Sequence, residues 1–560
     1  MKYTGADIFL ESLKANGVKT IFGYPGGANI PFYDKLNSCK NIKHILVRHE
    51  QAAAFAAQGQ SRTKKGVGVC LVTSGPGAAN ALTGVFDAYM DSVPMIFISA
   101  QVPYSAMGSD VFQEMDTIGA TMSFVKHSFL INDANDIPRI INEAFRLINE
   151  GRPGPVHIDL PKDVQNQIFE GNTKVTRFEE NKKEKSYDMS EHTISKIIDS
   201  LNSSKKPVAL IGNGVKLSNA EKLLEKFVDT LGIPTVSTLH AKGVLNETNK
   251  NYLGMLGMHG FYHANLATSN ADLIINIGSR FDDRIVGTYD SFAKNAKVIH
   301  IDVDKAELNK LVKTDIPVCC DARYFLEKII NTNKLKPLNI EEWKKQIDNW
   351  NTQKPFIWET EQFSVKNALQ NINRNTEGNL GDYIFLTDVG QHQMWAAQII
   401  KVKNTCSWLT SGGSGTMGFA LPTAIGVSIT NPDKTVVVIA GDGGIQMNIQ
   451  ELQLLKDYNL NIKVIIMNNN FLGMVRQWQD MFYEKNYSST PISSPNFKAL
   501  GEAYGLKSYS IDNESDLKKT LETEFKSKKP SVIEVKITKN EENIFPMVAP
   551  GTSLENTIVK

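Results

Sequence analysis

The sequence predicts an α/β protein built as three doubly wound parallel-sheet domains. Three observations carry that prediction. Short apolar runs alternate with helical segments along nearly all of the 560 residues, which is the rhythm of strands joined by crossover helices. Two polar stretches, near 166–190 and 331–351, divide that rhythm into three blocks. In the last block the strand Thr435-Val-Val-Val-Ile-Ala440 runs into Gly441-Asp-Gly-Gly444, and a second apolar strand ends in Asn468-Asn-Asn470. Both tips would lie at the carboxyl edge of a parallel sheet, where α/β folds bind ligands.

The first block, 1–168, has strands expected at Thr20 to Gly23, Ile42 to Val47, Val67 to Thr73, Pro94 to Ser99 and Val156 to Leu160. The stretch from 166 to 190, with Glu179-Glu-Asn-Lys-Lys-Glu-Lys185, reads as a solvated linker. The second block, 191–340, has strands at Val208 to Gly212, Thr235 to Thr238, Leu273 to Gly278 and Val298 to Asp302. The third, 365–540, has them at 383–388, 435–440, 463–468 and 531–537. Blocks one and three share size and rhythm, as a duplicated fold would. The tail, 541–560, contains Pro546 and Pro550-Gly551 and suits a segment that folds over a site or stays mobile.

Composition sets outer bounds. Hydrophobic content of 41% and charged content of 22% are ordinary for a globular chain. A net charge of +1 gives no field that would draw nucleic acid or an acidic membrane. Cys39, Cys70, Cys319, Cys320 and Cys406 form no CxxC pair, which suits free thiols in a reducing cytoplasm. The start enters an amphipathic helix at once, so no leader is expected ahead of it; a plastid location remains open if a transit peptide is absent.

The chemistry begins with Asp442 and Asn469. An Asp oxygen, an Asn oxygen and a nearby carbonyl form a partial oxygen shell for Mg²⁺, and the open positions suit diphosphate oxygens. Gly441, Gly443 and Gly444 let the backbone approach that diphosphate without a Cβ clash. The pattern resembles the thiamine-diphosphate (ThDP) motif, GDG followed by NN. In block one, Arg48-His-Glu-Gln51 places Glu50 at the start of an alanine-rich helix. By itself that is where the helix dipole favours a carboxylate. With ThDP in view, Glu50 becomes the candidate for the group that hydrogen-bonds the pyrimidine ring and activates the cofactor.

Further motifs occur in order: Tyr24-Pro-Gly-Gly-Ala28, Thr73-Ser-Gly-Pro-Gly77, Asp110-Val-Phe-Gln-Glu114, Gly151-Arg-Pro-Gly-Pro155, Leu160-Pro-Lys-Asp163, Leu256-Gly-Met-His-Gly260, Arg280-Phe-Asp-Asp-Arg284, Ser411-Gly-Gly-Ser-Gly-Thr-Met417 and Gly473-Met-Val-Arg-Gln-Trp478. The set resembles the catalytic subunits of the acetohydroxyacid (acetolactate) synthase family, from Gly5 to about Pro550. The resemblance implies pyrimidine-binding and diphosphate-binding domains flanking a central FAD-binding one. It implies Pro25 near the pyrimidine and Glu50 as activator. Gln391, His392, Gly415, Gly473 and Met474 line the ThDP site, and Met417, at a helix start, bends the cofactor. Mg²⁺ is held by Asp442, Asn469 and the Phe471 carbonyl. Phe112, Gln113 and Lys162 stand at the substrate entrance, and Trp478 with Val475 sets the choice of second substrate.

FAD is implied in a groove lined by Arg152, Gly212, Gly214, Thr238, Leu239, Met258, His259, Gly278, Arg280, Asp282, Arg284, Asp302 and Asp321. The implied reaction decarboxylates pyruvate on ThDP and transfers the two-carbon unit to pyruvate or 2-ketobutyrate, a step of valine, leucine and isoleucine synthesis. The implied partners are small 2-ketoacids, a second copy in a homodimer or tetramer whose sites span the interface (with Glu50 and Asp442 on different subunits), and a small regulatory subunit. The alternative is a ThDP/FAD oxidase of the pyruvate oxidase type. Ser414 departs from the family pattern, which commonly has a larger apolar residue there.

Overall fold

The structure, a computed structural model, describes residues 2–172, 174–177, 187, 189–358, 362–537 and 542–560. The charged stretch Glu179–Lys185 lies outside the described residues. Three six-stranded sheets, parallel throughout, form the three blocks.

The first sheet contains β1 (Thr20–Gly23), β2 (Lys43–Leu46), β3 (Gly68–Val72), β4 (Met95–Gln101), β5 (Ser128–Leu130) and β6 (Pro155–Pro161), in the order β2-β1-β3-β4-β6-β5. The second contains β7 (Pro207–Ile211), β8 (Thr235–Ser237), β9 (Tyr252–Met255), β10 (Leu273–Ile277), β11 (Lys297–Asp302) and β12 (Ile316–Cys319), in the order β12-β11-β10-β7-β8-β9. That is the strand order of dinucleotide-binding doubly wound sheets. The third contains β13 (Tyr383–Thr387), β14 (Trp408–Leu409), β15 (Thr435–Gly441), β16 (Ile462–Asn468), β17 (Lys507–Ile511) and β18 (Ser531–Lys536), in the order β14-β13-β15-β16-β18-β17. Counted within their own blocks, the first and third sheets have the same strand order.

Central strands such as β3, β4, β7, β10 and β13 are buried along their whole length. This is why they are continuous apolar runs rather than alternating ones. Five strands were not expected from sequence: β5, β9, β12, β14 and β17. Each lies at a sheet edge.

Blocks one and three share one hydrophobic core. The alanine-rich helix Glu50–Arg62 is buried from Ala52 to Ser61 and packs on helix Ala420–Thr430. Their backbones meet through two glycines. A Cβ on Gly59 would lie 2.2 Å from Thr423 O, and one on Gly426 would lie 1.9 Å from Ala56 O. Phe55 packs edge-on against Phe419 nearby, with ring centroids 5.5 Å apart.

A buried ionic cluster joins all three blocks. Arg62 reaches Asp87 at 3.0 Å and Asp91 at 2.8 Å. His240 of block two meets Asp91 at 2.9 Å. From block three, the Ser411 and Ser414 hydroxyls donate to Asp87 at 2.5 and 2.6 Å, and the Gly413 amide donates to Asp91 at 2.7 Å. Residues 542–560 pack between blocks two and three. The Val548 amide donates to Met258 O at 2.8 Å, and Asn265 Nδ2 donates to Thr557 Oγ1 at 3.0 Å. Among the described residues no helix is long and apolar enough to cross a membrane.

Candidate functional site

Asp442 begins a short helix directly after β15. Asn469 follows β16, the strand paired with β15. The sheet therefore sets the two side by side. Burial pushes Asp442 up to about 6, opposed by the Ser494 hydroxyl, which donates to it at 3.0 Å, and by the backbone N–H groups of Asn469 and Asn470. Asn468 turns away and donates to Glu534 at 2.8 Å, which leaves Asn469 as the amide at this edge. The segment 490–494 closes over the same tip: the Leu472 amide donates to Thr490 O at 2.8 Å and the Ile492 amide to Asn470 O at 3.0 Å.

Gln391 and His392 open helix Gln391–Ile399 next to these tips. A Cβ on Gly441 would lie 3.0 Å from His392 Nδ1, and one on Gly473 would lie 2.3 Å from Gln391 Oε1 and 3.1 Å from Asn469 Nδ2. Burial pushes His392 down to about 4, so it is neutral, and its buried Nε2 has no hydrogen-bond partner. Gln391 Nε2 donates instead to Gln477 Oε1 at 2.9 Å and to Glu542 O at 3.0 Å, tying the site to the C-terminal segment. Met417 Cε lies 3.6 Å from the Cβ position of Gly443. It sits in a turn rather than at a helix start, because the following helix begins only at Ala420. Gly415 adopts φ +64° beside Val389. Asp388, which sequence reasoning missed, is buried and accepts from the Val389, Gly418 and Ala420 amides at 2.8–3.1 Å.

Glu50 is the first residue of its helix, with His49 as N-cap. Asn80 Nδ2 donates to its Oε2 at 3.0 Å. Pro25 lies in the exposed loop after β1, just before the turn at 27–29. Gln113 has φ +62°, and its backbone abuts Gly75, whose Cβ would fall 2.7 Å from Gln113 O. Phe112 is 87% exposed. Lys162 begins the short helix after β6. These residues gather along the carboxyl edge of the first sheet.

A cavity of about 1050 Å³ lies between the blocks. Arg152, Gly214, Thr238, Leu239, Met258, His259, Gly278, Arg280, Asp282, Arg284, Asp302 and Asp321 all line it. Gly212 is not among its lining residues. It serves instead where the ends of β7 and β10 nearly touch, since a Cβ there would lie 2.2 Å from Gly278 O. Burial pushes Asp302 up to about 6. Burial also raises Asp282, against the pull of Arg280. Gly415, Met474 and Trp478 line the same cavity, so it runs up to the block-three site. Val475, on the Trp478 helix, is half exposed and lies outside the cavity lining.

Comparison with known proteins fits this geometry. The model for the thiamine pyrophosphate enzyme N-terminal TPP binding domain matches residues 3–120, the one for the central domain matches 194–329, and the one for the C-terminal TPP binding domain matches 388–535. Fold and matches together define a thiamine pyrophosphate-dependent enzyme. The large subunit of acetolactate synthase from Lactococcus lactis is 44% identical, covering 99% of this chain and 96% of its own length. The Haemophilus influenzae large subunit and the Escherichia coli isozyme 3 large subunit are each 40% identical, over 98% of their lengths. The chain belongs to the acetolactate synthase large-subunit family.

Proposed function

We propose that this protein decarboxylates pyruvate and joins the two-carbon unit to a second 2-ketoacid, giving 2-acetolactate or 2-aceto-2-hydroxybutyrate. The observation that carries the reading is the pairing of Asp442 and Asn469 on adjacent strand ends beside His392, whose buried Nε2 has no partner. The residues fit a Mg²⁺-diphosphate group. Among the described residues no three His, Cys, Asp or Glu side chains gather as a metal site, and a carboxylate, an amide oxygen and the Phe471 carbonyl are the oxygen donors Mg²⁺ takes when phosphates and water complete its shell. The cavity fits FAD, with Arg152, Arg280 and Arg284 for its diphosphate and Asp302 for a ribose.

When bound, ThDP would supply an electron sink for loss of CO₂. The chain's residues do the rest. Glu50 holds and returns a proton at the cofactor's pyrimidine ring. Gly441, Gly443 and Gly473 keep side chains out of the diphosphate cradle. Met417 presses its apolar end toward Gly443. Gln113 and Lys162 orient the 2-ketoacid carboxylate at the entrance. Trp478, on the cavity wall, gives apolar contact to the extra methyl of 2-ketobutyrate.

A second copy of the chain completes the site beside Glu50. Supporting this, Tyr24, Phe112 and Met122 of the same block are 38%, 87% and 71% exposed. Relatives named as large subunits support a smaller partner chain. Product analysis with pyruvate, then with 2-ketobutyrate in competition, with and without ThDP, Mg²⁺ and FAD, tests the reading. Oxygen uptake in place of acetolactate would instead establish the oxidase alternative.

A further inference from the structure

The Glu50 carboxyl group is held by a residue outside the recognised motifs. Asn80 stands in the second turn of helix Pro76–Met90, on its exposed side. Asparagine is a weak helix former, and here its neighbours are Ala78, Ala79 and Ala81. Its Nδ2 donates to Glu50 Oε2 at 3.0 Å.

The spacing that permits this bond is built into the helix pair. The two helices cross where Gly84 meets Ala54: a Cβ on Gly84 would lie 2.5 Å from Ala54 Cβ and 3.4 Å from Gln51 O. Gln58 Nε2, also on the Glu50 helix, donates to Gly84 O at 2.7 Å and fixes the crossing. The other carboxylate oxygen is treated differently. Glu50 Oε1 lies 3.3 Å from the Cβ position of Gly77, and that position is itself blocked by Thr73 Cγ2 at 2.7 Å. One oxygen is therefore tethered by an amide, and the other is bordered by a residue without a side chain. The N-terminal turn of the Pro76–Met90 helix adds a favourable dipole beside the carboxylate.

We propose that Asn80 is a positioning residue for Glu50, holding Oε2 so that Oε1 is presented to the pyrimidine ring nitrogen of the cofactor. The proposal rests on the assignment of Glu50 as the activating carboxylate. One proton passes between Glu50 and the ring, and no other reactant is needed. Asn80 touches neither substrate nor cofactor in this scheme. It removes the freedom of Glu50 to swing away, and as a neutral donor it adds no charge that would hold the carboxylate back from the ring.

The test compares Asn80→Ala, Asn80→Asp, Asn80→Ser and Glu50→Gln in the full chain loaded with ThDP and Mg²⁺. ThDP affinity is read by tryptophan fluorescence quenching, the cofactor's tautomer by its near-ultraviolet circular dichroism, and activation by deuterium exchange at the thiazolium C2. Loss of a hydrogen bond to a charged group predicts that Asn80→Ala slows exchange about tenfold and weakens the tautomer band, with ThDP affinity within about twofold. Asn80→Asp, which sets a like charge against Glu50, should slow it more. Asn80→Ser, which keeps a donor, should recover part of the loss. In a Glu50→Gln background, Asn80→Ala should add little. Unchanged exchange in Asn80→Ala, or a loss confined to affinity and thermal midpoint, overturns the proposal and leaves the role of Glu50 standing. Normal exchange in Glu50→Gln overturns both.

Discussion

Substituting Gly426 by Ala tests the contact that joins blocks one and three. The new Cβ would stand 1.9 Å from Ala56 O, whereas a comfortable carbon–oxygen approach is about 3.4 Å. The helices Glu50–Arg62 and Ala420–Thr430 must therefore part by about 1.5 Å. The obstacle is backbone, which no rotamer change can relieve. Overpacking of this kind costs about 1–3 kcal/mol. Alanine returns about 1 kcal/mol of helix propensity. Because the clash is with backbone, the upper part of that range applies, about 2–3 kcal/mol, and the balance is a net loss of about 1–2 kcal/mol, read as a lower urea midpoint by far-ultraviolet circular dichroism. Gly59→Ala should behave alike, since its Cβ would lie 2.2 Å from Thr423 O. Once the helices have parted for one methyl group the second finds room, so the double variant should lose less than the sum of the singles. A neutral or raised midpoint for Gly426→Ala, as propensity alone would give, refutes the reasoning. Strict additivity refutes the shared gap.

Three further outcomes follow from the site. Asp442→Ala should weaken Mg²⁺-dependent ThDP binding by more than about 100-fold in calorimetry, beyond the effect of losing a group that merely supports a metal ligand. Trp478→Ala should lower the preference for 2-ketobutyrate over pyruvate by about 10-fold or more in competition assays, the effect of one methyl contact. Glu451 is buried, accepts from the Arg48 amide at 2.9 Å, and burial pushes it from its ordinary 4.5 up to about 7. In the folded chain it keeps its proton through a range where the unfolded chain has lost it, so its contribution to stability is full below pH 4.5 and is lost as pH rises through 7. Glu451→Gln should remove a fall of order 3 kcal/mol across that window, making the variant more stable than the parent at pH 8 by urea titration.

The sheet interiors were legible because a strand covered on both faces must be apolar throughout. The edges were not. β12 alternates buried and exposed residues, β17 is mostly polar, β14 has only two residues, and β5 is half-buried along its length. Each is paired on one side only and carries too little apolar signal to stand out. The same contrast holds at the site. Asp442 and Asn469 could be found because they end strong strands. Ser494 and Asn80 reach their places through loop closure and helix crossing, which leave no local pattern; Asp388 directly follows β13, but the Gly418 and Ala420 amides it holds lie far along the chain. Gln391 was found by motif, yet its tie to Glu542 joins positions far apart in the chain. The placement of Met417 was missed because Gly418, with φ +84°, delays the helix.

The ionic cluster around Asp87 and Asp91 bears on how this architecture can be recombined. Arg62 and both acids travel with the first block, but the serine hydroxyls and glycine amides that complete their coordination belong to the third, and His240 to the second. A chimaera that replaced the third block alone would remove the serine and glycine donors and leave the two sequestered acids to Arg62 and His240, each lost donor to a buried acid costing about 1–3 kcal/mol. Grafts between relatives should therefore succeed when the acid-bearing helix and the serine-bearing loop are moved as one unit.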